Sequence, residues 1–193
     1  CNIALMRQAQ AAKKGVAAAG GTPREFCTIT VTDGIAMGHE GMKSSLPSRE
    51  AIADTVELTI RGHSYDALIG LAGCDKSLPG MMMAMCRLNV PSIFIYGGSI
   101  LPGTFKGQPV TVQDVFEAVG AHAAGRLDNS RLKALEDHAC PGAGACGGQF
   151  TANTMAAVCE FLGIAAMGSG SVPAVDPVRR DVCARIGGLV MDL

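Results

Sequence analysis

The sequence is poor in aromatic residues, with no Trp, two Tyr and six Phe among its 193 residues. Proteins that bind single-stranded nucleic acid stack the bases on aromatic side chains, and this chain has few of them. The net charge of −1 also leaves no surplus of Lys and Arg for a phosphate backbone or an anionic lipid surface. Both scarcities argue against nucleic acid and membranes as partners.

Long apolar runs are absent too, although 48% of the residues are hydrophobic. No run reaches the roughly 20 residues that a membrane-spanning helix needs. The length suits one α/β domain with a sizeable core, so we treat residues 1–193 as one domain. Because the sequence begins without Met and ends inside an apolar helical pattern, we expect it to be a piece of a longer protein.

Cysteine is abundant by comparison, with eight residues. Four of them lie in apolar helical or strand-like stretches, where we expect small buried core residues: Cys27, Cys86, Cys159 and Cys183. The other four lie in loop-like or Gly-rich stretches, where a thiolate can reach a metal: Cys1, Cys74, Cys140 and Cys146.

Strand-like and helical stretches alternate along the chain. The β-branched and apolar runs predict strands at 27–32, 67–72 and 92–96. Helical patterns lie between and after them, at 3–18, from 48 onward, and at 81–88, 111–125, 132–138, 151–162 and from 176 onward. This alternation predicts an α/β fold: three layers, α/β/α, around a mainly parallel sheet.

Reactive side chains follow the predicted strands. Asp33 comes after the first, and Cys74-Asp75-Lys76 comes after the second. The carboxyl ends of parallel strands share one sheet edge, where ligands bind in open α/β folds. Asp33 and Asp75 are hard oxygen ligands suited to Mg²⁺ or Mn²⁺. Cys74, Cys146 and Cys1 are soft ligands suited to an Fe–S cluster or to zinc.

Simpler interpretations stand beside this one. Cys74 is equally compatible with a structural thiol, Asp33-Gly34 with a turn, and Lys76 with a solvated charge. The four histidines lack a metal-ligand spacing, although His39 lies in the loop after Asp33. Residues 142–147 match a G-x-G-x-x-G pattern but follow no predicted strand, so dinucleotide binding is not indicated.

Four long motifs stand out: VTDGIAMGHEGM at 31–42, SLPSRE at 45–50, GCDKSLPG at 73–80 and CPGAGACGG at 140–148. Together they resemble the dihydroxy-acid and phosphogluconate dehydratase family. The resemblance covers essentially the whole chain and corresponds to the N-terminal α/β part of a two-domain enzyme.

The resemblance implies a [2Fe–2S] cluster, with [4Fe–4S] as the alternative, held by Cys1, Cys74 and Cys146. It also implies Mg²⁺ bound by Asp33, Asp75 and a carbamylated Lys76, the residue that we place in the catalytic machinery. Cys140 belongs to the motif but is not implied as a ligand. The proton-abstracting base is expected in the C-terminal part, outside these residues, so the 193-residue chain alone is expected to be inactive.

The implied reaction is loss of water from a 2,3-dihydroxy carboxylate to give a 2-keto acid. 2,3-Dihydroxyisovalerate, in branched-chain amino-acid biosynthesis, is the first expectation for the substrate. A sugar acid such as an aldonate or phosphogluconate is the second, and a non-catalytic α/β scaffold is the third. The resemblance further implies a homodimer. Free thiols and an oxidation-sensitive cluster favour a reducing compartment, the cytoplasm, or an organelle stroma or matrix in a eukaryote.

Overall fold

A computed structural model describes residues 1–193. The chain forms eight α-helices, four β-strands and two short 3₁₀-helices, at Glu40–Ser44 and Val190–Asp192. In chain order the remaining elements are α1 (Leu5–Ala18), α2 (Asp33–Ala36), α3 (Ser48–His63), β1 (Leu68–Ala72), α4 (Ser77–Leu88), β2 (Ser92–Tyr96), β3 (Gly103–Phe105), β4 (Gln108–Val110), α5 (Val112–Ala123), α6 (Asn129–Ala139), α7 (Thr151–Phe161) and α8 (Arg179–Leu189).

The central sheet consists of β1 and β2, which pair in parallel from Leu68 opposite Ser92 to Ala72 opposite Tyr96. Helix α4 connects the two strands, as a parallel pair requires. Two isolated parallel bridges extend this arrangement, one from Phe94 to Ala165, beyond α7, and one from Ser99 to Ala145. The other two strands, β3 and β4, form a separate antiparallel hairpin.

Helices cover both faces of this small sheet. On one face, α3, α4 and α7 bury Ile52, Val56, Leu78 and Phe94 in the larger core. On the other face, α1 and α8 pack over Ile93 and Ile95 with Ile186 and Cys183. The alternation of side chains along a strand sends neighbouring residues of β2 into the two cores. The expected three-layer α/β/α arrangement is therefore confirmed, with a parallel sheet of two strands.

The predicted strand at 27–32 is wrong. Residues 21–32 have no regular secondary structure, and Asp33 begins the short helix α2 instead of following a strand. The β-branched run there fits a pleated surface, but a strand also needs a neighbour with which to exchange backbone hydrogen bonds. This segment instead lies beside α3, where the hydroxyls of Thr28 and Thr55 are hydrogen-bonded at 2.5 Å.

Two of the four cysteines expected in the core are exposed, Cys27 and Cys86, whereas Cys159 and Cys183 are buried. Cys27 lies in the segment that is not a strand, and Cys86 lies on the solvent side of α4 near its C-terminus. An all-apolar helical sequence does not specify which side chain faces outward, so the pattern could not show that Cys86 is exposed. The expectation for Cys27 depended on the strand at 27–32, which does not form. None of the helices combines the length and the apolar composition that a membrane span requires.

Helices α1 and α8 approach each other closely enough for their backbones to touch. A Cβ on Gly15 would collide with the carbonyl oxygen of Ala184, and one on Gly187 would collide with that of Ala12. Only glycine leaves room for such an approach. This contact holds α1, and the Cys1 segment that precedes it, against the sheet.

Candidate metal centre

The turn after β1 is fixed by its own hydrogen bonds. The carbonyl oxygen of Cys74 accepts from the backbone N–H of Ser77 at 3.1 Å and from its hydroxyl at 2.9 Å. The Cys74 N–H donates to the same hydroxyl at 3.2 Å. Helix α4 starts at Ser77, so Cys74, Asp75 and Lys76 occupy the short link between a buried strand and a helix N-terminus. Cys74 itself is buried.

The side chains of Asp33, Asp75 and Lys76 meet at this turn. Nζ of Lys76 lies 2.9 Å from Oδ2 of Asp33 and 3.2 Å from Oδ2 of Asp75. Ser45, which is buried, donates its hydroxyl to the other oxygen of Asp33, Oδ1, at 2.5 Å. Two carboxylates from distant parts of the sequence therefore face one cation. The structure brings together all three residues that were expected to form the magnesium site.

The electrostatics of this trio show that the carboxylates attract positive charge. Burial alone would raise the pKa of Asp33, but hydrogen bonds from Ser45 and Lys76 outweigh it and lower that pKa. The pKa of Asp75 is raised by burial and by the neighbouring Asp33. Burial opposes the charged form of Lys76, yet its hydrogen bonds with Asp33 and Asp75 raise its pKa. One ammonium thus balances only one of two adjacent carboxylates.

The cysteines expected to hold a cluster lie around the same strand end. Cys1 passes directly over Gly73, where a Cβ would come 2.6 Å from the Cys1 carbonyl oxygen. Cys146 is half-buried, and its thiol pKa is raised first by burial and then by the thiol of Cys74. Cys140 is exposed. The structure shows no three His, Cys, Asp or Glu side chains arranged as a metal-binding group.

The loop that carries Cys146 is attached to the segment after β2. The Ala145 N–H donates to the Gly98 carbonyl at 2.8 Å, and Ile100 donates to the Ala145 carbonyl at the same distance. Gly144 has a φ of 146°, and a Cβ there would collide with the backbone of Ile100. The glycine therefore lets the two backbone segments touch, and the loop comes to the same end of β2 as the turn after β1.

His39 has a structural role in this arrangement. Its Nδ1 accepts from the Gly41 N–H at 3.0 Å, and its Nε2 lies 3.0 Å from the Ile35 carbonyl oxygen. Both ring nitrogens are thus engaged in shaping the loop between α2 and the following 3₁₀-helix. We conclude that His39 supports the loop next to Asp33 and leaves neither nitrogen for a metal.

Several side chains at the site were not identified from the sequence. Ser45 belongs to the SLPSRE motif, so the motif drew attention to its position without indicating its bond to Asp33. Gln8, on α1, is buried and donates its side-chain N–H to the Gly97 carbonyl at 2.7 Å. Asn153 donates to the Cys146 carbonyl and accepts a hydrogen bond from the Tyr96 hydroxyl. Each makes a contact between distant segments, which no local pattern indicates.

A cavity of about 450 Å³ lies beside the Cys146 loop. Gly147, Gly148 and Asn153 line one part of it, and Ser99 and Glu160 line another. None of the six predicted ligands lines this cavity. It is therefore distinct from the cluster of Asp33, Asp75 and Lys76.

Comparison with known proteins agrees with the motifs. The family described as dihydroxy-acid/6-phosphogluconate dehydratase, N-terminal, matches residues 1–193. Dihydroxy-acid dehydratase 2 of Bradyrhizobium diazoefficiens is 72% identical over the whole of this chain. The dihydroxy-acid dehydratases of Parvibaculum lavamentivorans and Pelagibacter ubique are 71% and 69% identical over the same 193 residues. The chain spans 34% of the length of each of these relatives.

Proposed function

The chain belongs to the dihydroxy-acid/6-phosphogluconate dehydratase family, and we propose that it forms the metal-binding part of a hydro-lyase that removes water from 2,3-dihydroxy carboxylates. The observation that carries this proposal is the convergence of Asp33, Asp75 and Lys76. The chain spans 34% of the length of its relative from Bradyrhizobium diazoefficiens. The complete activity is therefore proposed for a full-length protein that also contains the part that the relative has outside this match.

The trio fits a magnesium ion by the chemistry of its donors. Asp33 and Asp75 supply carboxylate oxygens, which Mg²⁺ prefers. Both oxygens approach the same Nζ atom, at 2.9 and 3.2 Å, so the two side chains already face a common cationic centre. A divalent cation would neutralise both carboxylates, whereas one ammonium neutralises one. Asp33 and Asp75 are therefore the proposed magnesium ligands.

Lys76 fits this site only after a change of charge. As an ammonium it competes with the metal for Asp33 and Asp75, since like charges repel. The neutral amine can form an Nζ–C bond with dissolved carbon dioxide and release a proton, which leaves a carbamate with two oxygens. The carbamate has the hard donor atoms that Mg²⁺ takes. We propose that Lys76 is carbamylated and joins the two aspartates as a ligand.

The side chains around Cys74 supply sulfur donors, which suit an iron–sulfur cluster. Cys146 is close enough to Cys74 for that thiol to contribute to its raised pKa, after burial, and Cys1 lies over Gly73. Thiolates are the usual ligands of iron–sulfur clusters. We propose that Cys1, Cys74 and Cys146 hold the cluster, which would supply an iron with an open position as a Lewis acid. The amounts of iron and acid-labile sulfide per chain distinguish a [2Fe–2S] from a [4Fe–4S] cluster.

The role of this chain's residues in the reaction follows from the link between Cys74 and Asp75. Neighbouring residues on one rigid turn would hold a soft metal and a hard metal at a fixed separation. Such an arrangement would orient a substrate that presents a hydroxyl to one metal and a carboxylate to the other. Burial of Cys74 and Asp33 limits access of water to that position. The base that removes the C2 proton is proposed to lie in the part of the relatives outside this chain.

The substrate that we propose is 2,3-dihydroxyisovalerate, converted to 2-ketoisovalerate in branched-chain amino-acid biosynthesis. The support for it is the name of the relatives with 69–72% identity, dihydroxy-acid dehydratase. The enzyme is proposed to be a homodimer in a reducing compartment. Eight free cysteines, with no disulfide among them, are in keeping with such a compartment.

The test uses the protein at its natural length, purified without oxygen. Iron, acid-labile sulfide and magnesium are measured per chain, and turnover is compared for 2,3-dihydroxyisovalerate and for an aldonate. We expect iron and sulfide together, with higher kcat/KM for the dihydroxyisovalerate. Higher kcat/KM for the aldonate would identify a sugar-acid dehydratase, and absence of iron, sulfide and turnover would identify a non-catalytic scaffold. Light scattering in the same buffer tests the homodimer.

A further inference from the structure

Asn153 joins the Cys146 loop to the central sheet. It lies in the first turn of α7, which begins two residues earlier. Its side-chain Nδ2 donates to the Cys146 carbonyl at 2.9 Å and also to the Gly148 carbonyl. Its Oδ1 accepts a hydrogen bond from the hydroxyl of Tyr96, the last residue of β2. One amide group therefore connects the strand end to the backbone on the C-terminal side of Cys146.

The orientation of this amide is fixed by its partners. Two backbone carbonyls can only accept, so the side chain must present its NH₂ group to them. The remaining amide oxygen then requires a donor, which the Tyr96 hydroxyl provides. Tyr96 is buried, and burial together with the thiols of Cys146 and Cys74 raises its pKa, so its hydroxyl keeps its proton. Without that hydroxyl, Oδ1 of Asn153 would lose its hydrogen-bond donor.

The Cys146 loop needs such an external tie because its sequence has little preference of its own. Glycines flank the cysteine at 144, 147 and 148, and glycine gains the most conformational freedom when it is released. On the N-terminal side, Ala145 is held by the backbone bridge to Gly98 and Ile100. On the C-terminal side, the side-chain bonds to the loop carbonyls come from Asn153.

We infer that Asn153, oriented by the hydroxyl of Tyr96, is a positioning residue that sets the direction of the Cys146 thiol. The inference rests on the proposed function in so far as that thiol is a cluster ligand. The amide and the hydroxyl act through the backbone, because they hold the carbonyls of Cys146 and Gly148 on the C-terminal side of the ligand. A strand residue thereby determines the geometry of a thiolate that lies 50 residues later in the sequence.

The first test measures the Cys146 thiol in the cluster-free, full-length protein. The rate of alkylation by iodoacetamide is followed peptide by peptide by mass spectrometry. Tyr96→Phe is expected to raise the rate at Cys146 about fivefold, as loss of one hydrogen bond loosens the loop. Asn153→Asp should raise it more, because a carboxylate repels both carbonyls. Tyr65→Phe and Asn129→Asp, which change residues outside this network, should leave the rate unchanged.

The second test uses the reconstituted protein. The visible absorption spectrum and the midpoint potential of the cluster are expected to change in Tyr96→Phe while Tyr65→Phe matches the wild type. Thermal melts establish that the variants are folded, and if Asn153→Asp is unfolded, Tyr96→Phe decides. A folded Tyr96→Phe protein with the wild-type alkylation rate and the wild-type spectrum would overturn the inference. A wild-type protein without iron or sulfide would instead count against the proposed function.

Discussion

The ammonium of Lys76 lies 2.9 Å from a carboxylate oxygen of Asp33, although 43 residues separate the two in the sequence. A salt bridge with both side chains largely buried contributes to stability only if each charge has close partners. Here Asp33 also receives the Ser45 hydroxyl, and Lys76 also reaches Asp75. The bridge therefore marks a position where the fold concentrates charge, as expected for a metal centre.

The first prediction concerns Asp33 as a ligand. Asp33→Asn removes one of the two carboxylates that face the common cation. Loss of a residue that only hydrogen-bonds to a metal ligand typically lowers metal affinity about 10–100-fold, so loss of the ligand itself should weaken Mg²⁺ binding by at least that factor. Magnesium binding to the full-length protein is measured by calorimetry. Asp66→Asn, at an exposed position, is the control. Equal Mg²⁺ affinity in the two variants would exclude Asp33 as a ligand.

The second prediction concerns Ser45, the buried partner of Asp33. Ser45→Ala removes the hydroxyl that holds Oδ1 and leaves that oxygen without this donor. Removal of a residue that hydrogen-bonds to a metal ligand typically lowers metal affinity about 10–100-fold. We expect Mg²⁺ affinity to fall about tenfold in the same calorimetric experiment. The control is Ser44→Ala, at the neighbouring exposed residue. Equal Mg²⁺ affinity in the Ser45→Ala and Ser44→Ala proteins would show that the Ser45 hydroxyl does not orient Asp33.

The same residues show why the sequence predicted part of this site. The association of Asp33 with Asp75 and Lys76 was expected from strand ends at one sheet edge, but Asp33 starts a short helix. The expected neighbours were right because the motifs carry the ligand types, whereas the local structure was wrong because strand pairing depends on distant partners. β2 was predicted at its observed limits, since its apolar run is bounded by Pro91 and Gly97.

Other features depended on contacts that no local pattern shows. The bonds from Asn153 to the Cys146 loop join side chain to backbone across a turn, and Ser45 reaches Asp33 across twelve residues. The exposure of Cys86 is decided by how α4 rotates against its neighbours, which a helix apolar on all sides does not encode. The candidate ligands can therefore be predicted from local motifs, whereas the residues that hold them become visible only in the packed structure.

The third prediction tests the close contact between α1 and α8. In Gly187→Ala the new methyl group would collide with the Ala12 carbonyl, so the helices must separate. Such overpacking costs about 1–3 kcal/mol of unfolding free energy. The next residue is a matched control, because a Cβ on Gly188 meets nothing within 4 Å. Gly188→Ala should leave stability unchanged or raise it by up to about 1 kcal/mol, since alanine favours a helix.

Urea unfolding of both proteins, followed by circular dichroism, checks this difference. The two substitutions add the same methyl group to adjacent positions of one helix, so helix propensity cancels in the comparison. Equal midpoints for Gly187→Ala and Gly188→Ala would mean that the two helices are not in backbone contact. In that case the Cys1 segment would not be held in place through α1.

The fourth prediction follows from two buried thiols that take no part in the proposed metal centre. Burial raises the pKa of Cys159 and of Cys183 to about 11 in each case. An unfolded chain exposes both thiols, whose pKa then returns to about 8.5. Between these values the unfolded state loses protons that the folded state keeps, so the stability is present below about pH 8.5 and falls as pH rises toward 11.

The expected slope is about 1.4 kcal/mol per pH unit for each thiol within that range. Unfolding free energies are therefore measured by urea titration at several pH values from 8 to 11, in reducing buffer. Other groups also titrate there, so the comparison is between variants. Cys159→Ala and Cys183→Ala should each flatten the slope by about that amount, even if the small cavities that they leave lower stability at every pH. Cys86→Ala, at an exposed thiol, should keep the wild-type slope, and a slope that is the same in all three variants would contradict the burial of Cys159 and Cys183 as the cause.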